Sequence, residues 1–232
     1  MGFNKVVFLI FGVFYSLLAL AHEDNEFLYF EAIKKGDFSE VMRLVDAGVS
    51  VNASDSEGNT GLMWAIAKER RDVQDFLLAP AQNSNVNIQN KHGETALIWA
   101  VEMGDLESVS SLRQRNANAN LATYVEKETA LMLAADHGFY YTLGIVLDLN
   151  PDLEAVDSRG RTAVMRALEK EHWGIVLKLG TKGANMAAAY RAKPFMDWKA
   201  KNDQQVWRQR NPRERLCGKI FRWIYNAWDG WE

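Results

Sequence analysis

The strongest constraint on this chain is a pattern that returns in phase. Gly93-Glu94-Thr95-Ala96-Leu97-Ile98-Trp99-Ala100 is preceded by Gly58-Asn59-Thr60-Gly61-Leu62-Met63-Trp64-Ala65. It is followed by Thr129-Ala130-Leu131-Met132-Leu133-Ala134 and by Gly160-Arg161-Thr162-Ala163-Val164-Met165-Arg166-Ala167. The closing alanines lie at 65, 100, 134 and 167, and Ala32 continues the series backwards, so the steps run from 33 to 35 residues. A period of that length marks stacked repeats, each a small unit that cannot bury its apolar face alone. Two further markers keep phase. Gly36-Asp37, Gly104-Asp105 and Gly138-Phe139 fall just after the alanine, and Val51-Asn52, Val86-Asn87 and Ala119-Asn120 fall in the next loop.

The chemistry within a copy is readable. Thr60, Thr95, Thr129 and Thr162 are placed to N-cap a helix, because a hydroxyl there accepts from a free N–H of the first turn. The apolar residues that follow end in Ala, small enough for helices to approach closely. A Gly, or the charged pair Glu69-Arg70, ends that short helix. A second apolar-periodic stretch follows, as in Val41, Leu44, Val45 or Val73, Phe76, Leu77. Gly48 and Gly183 are placed for a left-handed residue after a helix. Asp55-Ser56-Glu57-Gly58 and Asp157-Ser158-Arg159-Gly160 read as tight turns. Each unit is turn, helix, helix, loop.

The pattern resembles the ankyrin repeat, which reads roughly Gly-x-Thr-Pro-Leu-His-x-Ala, then Gly, then Val-x-Leu-Leu-x-x-Gly-Ala-x-Val-Asn. The resemblance spans about residues 26–186 and implies an all-α ankyrin-repeat solenoid of about five helix-turn-helix units. The chain departs from the family pattern in two places. Pro is replaced by Gly61, Ala96, Ala130 or Ala163, and His by Met63, Ile98, Met132 or Met165. The usual histidine–backbone ties between units must therefore be missing or replaced. Trp64 and Trp99 are expected to pack in the core. Two loops are lengthened, Pro80-Ala81-Gln82-Asn83-Ser84 by two residues and Thr123-Tyr124-Val125-Glu126-Lys127 by one, the latter without a turn Gly. Loops are where binding residues concentrate.

The N-terminus reads as an export signal. Lys5 and the amino terminus precede an uncharged run from Val6 to Leu20, and Ala19-Leu20-Ala21 offers small residues before a cut at His22. At about 15 residues the run is short of the roughly 20 that span a bilayer. An uncleaved anchor in the inner membrane is the alternative. Residues 1–21 are thus assigned to a signal peptide, 22–189 to the repeats and 190–232 to a C-terminal helical cap or tail, and the expected location is the periplasm. Cys217 is the sole cysteine, so stability has to come from packing without an intramolecular disulfide.

The tail differs in charge from the body. Residues 190–232 hold ten Lys or Arg against five Asp or Glu, a surplus of five, whereas the whole chain carries −3. Trp198, Trp207, Trp223, Trp228 and Trp231 crowd there too. Asn211-Pro212 suits a helix start, and Leu216, Ile220, Trp223, Ile224 and Ala227 follow at helical spacing. Three readings stay open: a cap on the last repeat, a peripheral membrane contact, or a hook for a partner.

No catalytic constellation emerges, so the chain is expected not to be an enzyme and to need no cofactor. His92, His137 and His172 fall in different repeats. Equivalent positions one repeat apart would be about 10 Å apart, too far to share one metal ion. Nucleic acid is a poor partner for an acidic, exported body. The resemblance implies a protein-binding groove built from turn tips and inner helices, in a chain expected to be a monomer on its own. Carried over, the turn positions are Glu57, Asn59, Lys91, His92, Glu94, Glu126, Glu128, Arg159 and Arg161. The helix positions are Lys34, Lys35, Lys68, Glu102, Met103, Asp136, His137, Glu169 and Lys170. The middle of that groove is acid-rich and matches a basic patch on a partner. A merely solvated face, or a site on the outer helices, is the alternative. The chain also resembles small exported ankyrin proteins of Gram-negative bacteria that act as immunity proteins against secreted toxins, including phospholipase effectors of the type VI system. That resemblance implies stoichiometric inhibition of a toxin. A scaffold for a periplasmic enzyme or envelope complex, or an exported effector acting on a host, are the other readings.

Overall fold

The structure, a computed structural model, describes residues 25–191 and Lys199. Helices follow one another in pairs. α1 covers 25–35, followed by α2 (Phe38–Asp46), α3 (Gly61–Ala67), α4 (Arg71–Leu78), α5 (Ala96–Glu102) and α6 (Leu106–Gln114). α7 (Ala130–Asp136), α8 (Tyr140–Leu147), α9 (Ala163–Glu169), α10 (Trp173–Thr181) and the short α11 (Ala187–Arg191) complete the order. Among the described residues there is no strand, and single antiparallel bridges Ser54–Thr60 and Ala122–Thr129 pinch two of the turns. The all-α solenoid of five helix pairs is as expected.

The expected caps form. Each of Thr60, Thr95, Thr129 and Thr162 accepts from the backbone N–H three residues on. Odd-numbered helices α3, α5, α7 and α9 stack on one another to make the inner layer, and even-numbered helices stack as the outer layer. One apolar core runs through both, from Tyr29 and Ile33 to Leu179 and Ala189. Met63, Ile98 and Met132, which replace the family's histidine, are among its fully buried side chains, while Met165 is exposed.

The missing histidine ties are replaced from a different position. Each inner helix ends at a left-handed residue: Gly36, Gly104 and Gly138, but Glu69 and Glu171 in two units, at φ of 55° and 57°. The residue after it reaches back to the preceding unit. Arg70 donates to the Lys34 carbonyl at 2.9 Å, and His172 Nε2 bonds the Asp136 carbonyl at 3.0 Å. The Phe139 ring instead covers Gly104, where a Cβ would meet it at 3.1 Å. A second ladder runs through the loops. Asn52, Asn87, Asn120 and finally Glu154 each accept the backbone N–H of Asn85, Asn118, Asp152 and Asn185 in the next unit.

That last rung carries the phase past Gly183. The chain then enters α11, which packs on α9 and buries Ala189, so the boundary expected at 189 falls within a helix. Apart from Lys199, the rest of the proposed cap, with all five tail tryptophans, lies outside the described residues, as does the expected export segment 1–21. No helix among the described residues is long and apolar enough to cross a membrane.

Candidate functional site

Between each outer helix and the next inner helix, the chain makes a projecting finger. Its tip is held by one side chain. Asp55 Oδ1 accepts from the N–H groups of Glu57 and Asn59, Asn90 Oδ1 from His92 and Glu94, and Asp157 Oδ1 from Arg159 and Arg161. In the lengthened finger Thr123 does this work through a bond from Glu128, and Lys127 sits at φ 55° where the other tips use Gly. Neighbouring fingers are bonded tip to tip. Lys91 N–H donates to Glu57 O at 3.0 Å, Tyr124 N–H to His92 O at 2.8 Å and Ser158 N–H to Glu126 O at 2.8 Å. Fingers and inner helices thus form one hydrogen-bonded wall.

The expected site residues fall on this wall in three states. Glu57, Lys91, His92, Glu126, Arg159, Lys68, Glu102, Met103, His137, Glu169 and Lys170 are exposed. Glu57 and Lys91 pair loosely at 3.8 Å, His137 stacks on Phe139, and Glu126 accepts from the Ser158 hydroxyl. Glu94, Glu128, Asp136 and Arg161 are half-buried. Asn59 is buried, with its amide bonded to Asp55 and to Asn90 of the next finger, so it braces the wall from behind.

Trp64 and Trp99 pack against the core as expected, but from its edge and not from inside it. Both are half-buried on the wall with rings edge to face at 5.8 Å. The reason is the indole N–H, which would be unsatisfied inside. Trp64 Nε1 donates to Asp55 Oδ2 and Trp99 Nε1 to Glu94 Oε2, each at 2.8 Å. Lys34 lies over the Trp64 ring at 4.6 Å and Lys68 at 5.9 Å, so this end of the wall is basic and aromatic. The equivalent position two units on is Arg166. It is buried and bonds Glu128 at 2.7 Å and Asp136 at 3.5 Å, with Asp157 at 3.9 Å. The repeat alignment placed Arg166 in the same column as the tryptophans, the one signal that could have marked it as part of the wall.

Glu102 differs from its neighbours. It has neither a hydrogen bond nor an ion pair, and its carboxyl is pushed above the usual carboxylate range, first by desolvation and then by the charges of Glu94 and Glu128. Around it the acids are engaged: Glu94 with Trp99 and Asn90, Glu128 with Arg166. Exposed Tyr124 and Val125, 59% and 75% accessible, project from the finger above. Met103, which follows Glu102 and caps the same end of α5, lines an open cleft of about 300 Å³ with Glu69, Arg71 and Leu106. Among the described residues no group of His, Cys, Asp or Glu is arranged to hold a metal ion.

The family model for ankyrin repeats, in three copies, matches residues 29–123. Over those residues the repeats match the ankyrin family. Beyond the matched span the same caps, fingers and Asn-type rungs continue through α10, so the ankyrin stack extends over units the match does not reach. No curated protein matches the chain. An ankyrin stack is a protein–protein interaction module, and this one offers a braced wall with an unpaired acid at its middle.

Proposed function

We propose that this ankyrin wall neutralises a secreted toxin in the periplasm by binding it in a fixed ratio and covering its active site or substrate entrance. The observation that carries the binding half of this reading is Glu102, an uncompensated carboxylate between Glu94 and Glu128, each of which is held by a partner. A surface that holds a charge at a cost in the free state gains that cost back when a basic group arrives. The rigidity of the wall favours the same use, because little has to be ordered on association. The export half rests on the signal-like sequence of residues 1–21. The immunity role rests on the resemblance of the chain to exported ankyrin proteins paired with toxins.

Two experiments test it. Deleting the gene and competing the deletion strain against parental cells should leave the deletion strain killed; equal survival would overturn the immunity role. Co-purification of the exported protein should recover one partner at fixed ratio, and Glu102→Lys should weaken that complex by ten-fold or more, about 1.4 kcal/mol. Glu102 is the suitable probe, since reversal of Glu94 or Glu128 would also strand Trp99 or Arg166. An unchanged dissociation constant would move the site off this wall.

A further inference from the structure

We infer that the wall also takes an occupant from within the chain: the basic segment 208–222, which an outside protein has to displace. The inference rests on the wall being the docking surface. Three observations carry it. The first is the chemistry of the open face. Trp99 is half-exposed, Tyr124 and Val125 are exposed, and Glu102 has no cation. Such a face fits a segment that mixes apolar side chains with positive ones.

The second is the composition of 208–222. It holds Arg208, Arg210, Arg213, Arg215, Lys219 and Arg222 against the single acid Glu214, interleaved with Leu216, Ile220 and Phe221. The surplus of five positive charges in 190–232 faces a remainder of the chain at −8, so the attraction is intramolecular before any partner appears.

The third is the exit route. α11, the last described helix before the segment, packs on α9, so the tether starts in the inner layer that forms the wall. From α11 to α5 is three helix spacings, roughly 30 Å at about 10 Å each. Residues 192–207 would reach about 50 Å fully extended, so the tether spans the distance with slack. Tethering at that range gives a high local concentration, so modest contacts suffice to hold the segment in place.

Cys217, the sole cysteine, lies inside the segment and supplies the test. The full chain carrying Glu102→Cys is mildly oxidised beside a control carrying Asp75→Cys, on the exposed surface of outer helix α4. Each new thiol is first normalised by its reaction with a small neutral disulfide reagent. The 102–217 disulfide should form within one molecule about ten times faster or more than the 75–217 disulfide, the advantage that effective concentration gives. The advantage should shrink in high salt, where the Debye length falls to about 3 Å at 1 M. Equal rates at the two positions would overturn the inference, and so would disulfide-linked dimers as the main product. Fast capture of Cys217 together with failure of co-purification to recover any outside protein would defeat the binding reading and leave this one standing. The converse result would defeat this inference alone.

Discussion

Asp105 and Glu102 are three residues apart and live under opposite rules. Asp105 caps α6 by accepting from Ser108 N–H, and it also takes two bonds from Arg71 and one from the Ser108 hydroxyl. Gln74 joins the same network through Ser108 and ties it to the Ala65 carbonyl. Burial alone would push the Asp105 carboxyl up, but the bonds from Arg71 and Ser108 hold it below its usual range. Glu102, at the end of α5 on the wall, has no such partners and its carboxyl is pushed up. Between the outer helices, charge is there to hold units together. On the wall, at Glu102, it is left uncompensated. An uncompensated charge weakens the isolated fold, a cost that the proposed basic partner would offset.

The contrast breaks first if Asp105 turns out to matter little. Asp105→Ala removes a cap, worth about 1 kcal/mol. It also removes one partner of Ser108 and the closer of the two carboxylates that pair with Arg71, the latter discounted because Arg71 stays accessible. The expected loss is about 2–3 kcal/mol, read from urea midpoints at pH 7 with the slope unchanged. The folded pKa is depressed, so this stabilisation is present above the unfolded Asp value of about 3.9 and is lost as pH falls through the lower folded value. The gap between parent and variant should therefore close in acid. A gap that stays constant to pH 3 would mean that Asp105 acts through its shape and not its charge.

The next test asks whether the wall itself is stiff. Gly93 and Gly160 hold the same left-handed turn position, at φ 80° and 74°. An added Cβ at Gly160 meets nothing, whereas at Gly93 it comes within 2.6 Å of the Tyr124 backbone nitrogen. Gly160→Ala should cost about 1 kcal/mol from backbone strain alone. Gly93→Ala should cost about 2, since the tip-to-tip bond from Tyr124 to His92 has to shift as well. Equal costs would show that the lengthened finger gives way easily, and a compliant finger is a poor lip for a rigid wall.

What was legible in the sequence followed from local rules. The threonine caps, the left-handed glycines and the five-unit period depend on residues within one turn of each other, and the structure has them where the pattern put them. That the tryptophans pack was legible, but not that they do so from the edge of the core, because hydropathy ranks the ring and ignores its N–H, and only the finger geometry shows Asp55 and Glu94 within reach. Arg70 and His172 were equally hidden as ties between units. Their partners are carbonyls at Lys34 and Asp136, 36 residues upstream, which no side-chain pattern marks. The acidic middle of the wall was visible as composition. Which of its acids is unpaired was not, because that depends on Arg166 reaching Glu128 from the next unit.

The smallest effect is the most pointed. Glu102→Gln keeps shape and removes charge. For a carboxyl whose folded pKa is raised, the ionised form is the costly one, so the native state is penalised at neutral pH. The penalty is relieved as pH falls through the raised folded value towards the unfolded one near 4.3. The variant should be more stable than the parent at pH 7 by a few tenths of a kcal/mol, a figure kept small because water reaches the group and screens it. The gain should vanish by about pH 4, where both chains carry a neutral side chain at 102. The same variant should bind a basic partner less well, so stability and binding should move in opposite directions. If Glu102→Gln instead destabilises at neutral pH, Glu102 has a structural partner, and the wall and the seam between outer helices obey the same rule after all.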